Sequence, residues 1–213
     1  MEAVASRRLK VSEINEVNDP YELYGIITAD PKVFSHDKNS KEVAETMRML
    51  CFCREASNPV VWGHYGENHR GLCLGFQVPA PPPNAGSAWF NPVNYRDAPE
   101  VLSEGDAEQL LHKMFFNKYD HWRYESEIRL VVLSQLTVRV GEHSFFPFGH
   151  LLALREIVLG YRNPYTKAQI TDQLRTHGHN PEDIDIWKVK PSRTEFKMIR
   201  DVEWGTPLRP KNE

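Results

Sequence analysis

Glu125, Glu127 and Arg129 stand two residues apart in the segment WRYESEIRLVVL. In a β-strand, residues two apart share a face. Two carboxylates and a guanidinium are therefore expected to project together, with Tyr124, Ile128, Leu130 and Val132 projecting oppositely. The apolar continuation LVVL is too apolar for an edge strand bathed in water and predicts a central one. Burying such charges unpaired costs several kcal/mol each, so they must be paired or used at a cleft. One carboxylate is expected to pair with Arg129 and stay ionised. Its neighbour then meets like charge and desolvation, both of which raise a carboxyl pKa. That state suits a general base, or a group that binds a sugar hydroxyl or a cation. The rival reading is an edge strand with one solvated face, where E-x-E-x-R is unremarkable. Flanking Trp122 and Tyr124 tip the balance towards a site.

The second chemical cluster is WGHYGENHRG, where Gly63, Gly66 and Gly71 surround His64, Glu67, Asn68, His69 and Arg70. Such a loop suits close approach by a ligand or another backbone. Trp62 and Tyr65 fall one helical turn apart and are expected on the core side, which leaves His64 facing a cleft. Zinc chemistry would need His64, His69 and Cys73, with Cys51 and Cys53 nearby, but their spacing matches no recognised zinc pattern. Packing and hydrogen bonding are the plainer expectation for His69, and no metal ligand is assigned. There is no G-x-S-x-G elbow, no phosphate-binding P-loop and no G-x-G-x-x-G, which removes the commonest hydrolase, nucleotide-phosphate and dinucleotide readings.

These segments need a scaffold. At 213 residues with 40% hydrophobic and 26% charged side chains, the chain suits one globular domain spanning 1–213. A formal charge of -3 gives no strong nucleic-acid footprint. An odd set of three cysteines without C-x-x-C spacing points to a reducing compartment. With no apolar run long enough to span a bilayer and no signal-peptide core, the expected location is the cytoplasm, without membrane association.

The elements follow from pattern. SRRLKV can pair as a strand, and Asn18, Asp19 and Pro20 signal a turn. Lys32–Ser40 reads as a surface loop. From Lys41 a helical register runs through Val43 and Met47 into RMLCFC, which also alternates as a strand. Asn58-Pro59 should open a short helix, followed by the strand LCLGFQV. The Pro-rich stretch 79–87 reads as an insertion loop. Asp106 is expected to cap an amphipathic helix bearing Leu110, Leu111, Met114 and Phe115. Further strands are expected within 137–161, a helix after Asn163-Pro164 stopped at Gly178, and strands at DIDIWKV and TEFKMIRDVEW. Strands interrupted irregularly by helices predict an α+β fold with a mixed, largely antiparallel sheet.

The pieces VNDPYEL, MLCFCRE, VVWGHYGENHRGLCLGF, KYDHWRYESEIRLVV and REIVLGY occur in the order of a bacterial family catalogued as domain of unknown function 2971, which the chain closely resembles. Members begin earlier, with a strand and helix ahead of the piece equivalent to RRLKVSEINEVNDP, so an N-terminal element is expected to be missing. The family also tends to carry serine where this chain has Cys53. A further resemblance joins Glu125-Ser126-Glu127 to the E-x-E of arginine-serine-glutamate ADP-ribosyltransferases, with LCFCRE in the place of the serine strand. That resemblance implies NAD as substrate, Glu127 as the catalytic carboxylate and Glu125 as the group orienting the nucleophile. The NAD-clamping arginine or histidine of those enzymes has no counterpart unless Arg7 or Arg8 serves.

The candidate site is therefore Glu127, Glu125 and His64 as catalytic groups, with Tyr65, His69, Arg129 and Trp122 contacting a cofactor or substrate. Three functions compete: an NAD-dependent ADP-ribosyltransferase-like enzyme acting in stress or phage defence, a binding or regulatory module, and a zinc-dependent hydrolase. The expected partner is a nucleotide-like small molecule or another protein.

Overall fold

A computed structural model describes residues 1–12, 17–28, 43, 45–78, 88–102, 107–149 and 151–205. The elements in chain order are α1 (Glu2–Ser6), β1 (Arg8–Lys10), β2 (Ile26–Thr28), β3 (Met47–Cys53), α2 (Pro59–Tyr65), β4 (Leu72–Gln77), β5 (Ala88–Pro92), β6 (Asn94–Arg96) and β7 (Glu100–Leu102). They continue with α3 (Ala107–Phe116), β8 (Asn117–Tyr119), a 3-10 turn (Asp120–Glu125), β9 (Glu127–Leu133), β10 (Val138–Val140), β11 (His143–Pro147), β12 (Ala153–Leu159), α4 (Lys167–Thr176), β13 (Asp185–Pro191) and β14 (Met198–Arg200). The fold class is α+β with mostly antiparallel pairing, as expected, although the strands divide among several small sheets. Among the described residues no helix is long and apolar enough to cross a membrane.

The chain forms two compact units. Unit 1 takes the described residues of Met1–Arg7, Glu55–Ala80 and Phe148–Glu213, and unit 2 those of Arg8–Arg54 and Pro81–Pro147.

Unit 1 is built on the sheet β14-β13-β12-β4. β12 and β13 run parallel, joined through α4, while β4 and β14 pair antiparallel on either side. Trp62, Val158, Val189 and Met198 form its buried cluster. α2 starts where expected, with the Asn58 side chain accepting from the Val60 amide and Pro59 at the first position. α4 starts later than Pro164 suggests, because Thr166 and Gln169 close a reciprocal capping box. Ile170 and Leu174 turn inward, and Gly178, at φ +70°, ends the helix.

Unit 2 places β9 at the centre of the sheet β3-β9-β5, as its apolar run predicts. RMLCFC resolves as a strand: β3 pairs antiparallel with all of β9, from Met47 opposite Leu133 to Cys53 opposite Glu127. Met49, Met114, Phe115 and Val131 belong to the cluster that packs this face against α3. The expected cap Asp106, the loop Lys32–Ser40, the helical start at Lys41 and the Pro-rich loop 79–87 lie outside the described residues.

Candidate functional site

The strand carrying the E-x-E segment begins two residues later than its alternation suggests. Asp120–Glu125 is a 3-10 turn, and Ser126 takes left-handed angles, φ 45° and ψ 50°, before β9 starts at Glu127. Arg123 donates to Asp120 within that turn, a local bond that competes with extended structure. Glu125 is thus not on the strand face of Glu127. The two carboxylates meet nonetheless, because the turn folds Glu125 back towards β8. Lys118 Nζ donates to Glu125 Oε2 at 2.6 Å and to Glu127 Oε2 at 2.8 Å.

Arg129 anchors the other half of the cluster and is fully buried. Its Nε and Nη2 donate to the two oxygens of Glu127 at 2.7 and 3.1 Å. Its Nη1 and Nη2 donate to the two oxygens of Glu22 at 2.5 and 3.0 Å, and Nη1 also donates to the Phe115 carbonyl. Both pairings are fork-to-fork, the geometry in which a guanidinium binds carboxylates best. The Glu127 amide donates to the Tyr95 hydroxyl at 2.8 Å, and the Cys51 thiol donates to the Glu127 carboxylate. Lys118 also lies over the Trp122 ring, 5.1 Å from its centroid. Trp122 therefore touches the cluster through a cation–π contact.

Three carboxylates (Glu22, Glu125, Glu127) against two cations (Lys118, Arg129) leave one excess negative charge when all are ionised. Burial pushes the Glu127 carboxyl upward, but the Arg129 guanidinium and Lys118 ammonium overcome it and hold the pKa at about 2. Burial dominates at Glu22 and raises its pKa despite Arg129. Burial lowers the basicity of Lys118 and Arg129, and the carboxylates more than restore it, so both cations are held protonated. The Cys51 pKa is also raised, by desolvation around its thiol and by Glu127, although the residue as a whole is solvent-exposed. The raised carboxyl that sequence reasoning sought beside Arg129 is Glu22, which comes from a turn 107 residues away in the chain.

Lys118 also lines a cavity of about 330 Å³ in unit 2, together with Tyr21, Tyr24, Arg96, Asp97 and Tyr119. One loop supplies both features: residues 19–25 bring Tyr21 and Tyr24 to the cavity and Glu22 to the cluster. Gly25 lets that loop approach β8, since a Cβ there would meet the Asn117 Cβ at 2.6 Å. Asn117 fastens the contact by donating to the Gly25 carbonyl at 3.2 Å and to Glu100 at 3.1 Å. Sequence reasoning took this loop for a plain turn and missed Glu22, Lys118 and the tyrosines. The available signal was the clustering of Tyr21, Glu22 and Tyr24 in the run VNDPYELY.

His64, Tyr65 and His69 belong to unit 1, whereas Glu125, Glu127, Arg129 and Trp122 belong to unit 2. The expectation that Tyr65 packs inward with Trp62 is corrected: Trp62 is 4% exposed and Tyr65 52%. α2 ends at Gly66, where a Cβ would strike the indole at 2.7 Å, so Trp62 folds over the helix end and Tyr65 is left outside. His64 is exposed, its ring 6.2 Å from that of Tyr65.

Glu67, Asn68 and His69 all adopt positive φ, 50°, 52° and 69°. A run of left-handed non-glycine residues costs roughly 1–2 kcal/mol per residue. Backbone bonds offset it: His69 N donates to the Trp62 carbonyl at 3.2 Å, and the His69 carbonyl accepts from Arg162 N at 3.1 Å. The Asn163 side chain donates to the carbonyls of Arg70 and Gly71 at 2.6 and 3.1 Å. His69 packs edge-on against Tyr161 at 5.0 Å, and burial, aided by Arg162, lowers its pKa. Its Nδ1 is buried without a hydrogen-bond partner among the described residues. Cys73 sits in β4, and among the described residues no group of three or more His, Cys, Asp or Glu side chains is placed to hold a metal ion.

The run from α2 to β9 carries both motifs, and family comparison picks out the same stretch. Residues 61–130 match the family model described as Protein of unknown function (DUF2971). The expected resemblance therefore holds over these residues. The DUF2971 segment contains Trp62, the glycine-rich turn, the lining residues from Arg96 to Tyr119, and the E-S-E triplet up to Arg129. It leaves out the loop that supplies Glu22, Tyr21 and Tyr24. No curated protein and no solved structure matches the chain.

Proposed function

We propose that the protein binds a small molecule in the unit 2 cavity, and that the ionic cluster is the fixed wall of that site rather than proton-transfer machinery. The observation that carries this reading is the double duty of Lys118. It lines the cavity, yet its ammonium is tied to Glu125 and Glu127. A volume of about 330 Å³ lies at the lower end of the range for small-molecule pockets. A general base or nucleophile must offer a lone pair to substrate. Both Glu127 oxygens already accept from Arg129, one accepts from Lys118 as well, and the pKa of about 2 makes the carboxylate a weak base. The test is a ligand-observed NMR screen of small polar fragments, with hits placed by crystal soaking. Hits clustering in the cavity support the reading; hits only elsewhere, or none, overturn it.

A second reading, NAD-dependent ADP-ribosyl transfer with Glu127 catalytic and Glu125 orienting the acceptor, draws on one pairing. Cys53 lies directly across from Glu127, so RMLCFC neighbours the E-S-E segment as the resemblance to those enzymes requires. Incubation with labelled NAD and cell extract tests it: transfer or cleavage that is lost in Glu127→Gln establishes it, and neither activity removes it.

A further inference from the structure

The cavity has a chemical character that goes beyond its size. Tyr21, Tyr24 and Tyr119 line it and are 67%, 43% and 40% exposed. Tyr119 is stacked on His121 with ring centroids 4.6 Å apart, which steadies its orientation. The cations of the lining are already engaged. Arg96 pairs with Glu100 at 3.4 Å, and Lys118 is held by two carboxylates. Asp97, by contrast, is exposed and enters no ion pair among the described residues.

Aromatic faces present negative quadrupole density and attract cations, most strongly where several rings and a carboxylate converge. An anion entering here would meet Arg96 and Lys118, and would have to displace Glu100 from the one or Glu125 and Glu127 from the other to use them fully. We propose that the ligand of this cavity is a small organic cation, an ammonium or guanidinium compound, held by the faces of Tyr21, Tyr24 and Tyr119 and by the Asp97 carboxylate. This rests on the reading of the cavity as the binding site and names its ligand class. Lys118 sets the back wall, and its neutralisation by Glu125 and Glu127 is what allows a second cation to approach.

The test uses full-length protein with ¹³C-labelled tyrosine, titrated separately with choline, agmatine and AMP and followed by NMR. The expected result is that choline or agmatine shifts the Tyr21, Tyr24 and Tyr119 signals and AMP does not. Asp97→Asn, an exposed position whose folding is checked by an unchanged amide spectrum, should weaken that binding about fivefold or more. AMP moving these signals while neither cation does overturns the cation assignment and leaves the cavity reading standing. Equal cation binding by wild type and Asp97→Asn overturns the role given to Asp97, and with it the proposal. No shift with any of the three probes, combined with an empty fragment screen, overturns both.

Discussion

The cluster around Arg129 and the turn around His69 draw on the same residue types, yet the chain stabilises them by different physics. In the unit 2 cluster the charges are inside: the Arg129 and Lys118 pairs involve side chains at most 8% exposed. In unit 1 the ion pairs are largely outside, as in Arg200–Asp185 at 51% and 43% exposure, and the polar motif is held instead by backbone bonds and glycine contacts. A buried ion pair has already been stripped of water, so losing one partner strands the other. An exposed pair simply returns to solvent. A packed turn fails by collision rather than by charge. Richness in His, Glu and Arg is thus a poor guide to function until burial is known.

The sharpest way to break this comparison is Arg129→Ala, which strands Glu22 and leaves Glu127 with Lys118 as its remaining cation. It should cost about 3–5 kcal/mol of stability, read from urea unfolding; a loss under about 1 kcal/mol would mean that the cluster is hydrated. Next is Gly160→Ala in unit 1, where the new Cβ would lie 2.2 Å from the His69 carbonyl oxygen. Because the obstacle is backbone, a cost of about 1–3 kcal/mol or more is expected, with shifted amide signals for residues 66–71.

Acid provides a further contrast. Glu127 is held at about 2, below the ordinary value of 4.5, so its contribution is fully present above pH 4.5 and is lost as pH falls through 2. Glu22 is shifted the other way, so its ionisation destabilises the folded state as pH rises through its raised pKa. Urea midpoints measured from pH 5 down to pH 2 should fall, and Glu127→Gln should flatten that decline. The smallest effect should be Arg200→Ala, under about 1 kcal/mol and further reduced by salt.

Local signals made much of the fold legible. The Asn58-Pro59 cap, the apolar run of β9 and the stop at Gly178 are each written within a few residues, and each sits where pattern placed it. The candidate site was legible only in part. Glu127 and Arg129 share a strand face, and spacing alone reveals that. Glu125 reaches the same cluster by a 3-10 turn and a left-handed Ser126, a route that period-two reasoning cannot represent. Glu22 was invisible because its partner lies 107 residues away, and neither periodicity nor spacing encodes such a pairing. Lys118 was missed for a related reason: it meets Glu125 and Glu127 across a turn rather than along a face.

Whether Glu127 is a wall or a catalyst is decided most directly by one paired measurement on Glu127→Gln: its urea midpoint and its NAD turnover, beside wild type. If the carboxylate is structural, the midpoint falls, because Arg129 and Lys118 lose a charged acceptor, and neither protein consumes NAD. Wild type that cleaves NAD, with cleavage lost in Glu127→Gln at an unchanged midpoint, would contradict that account.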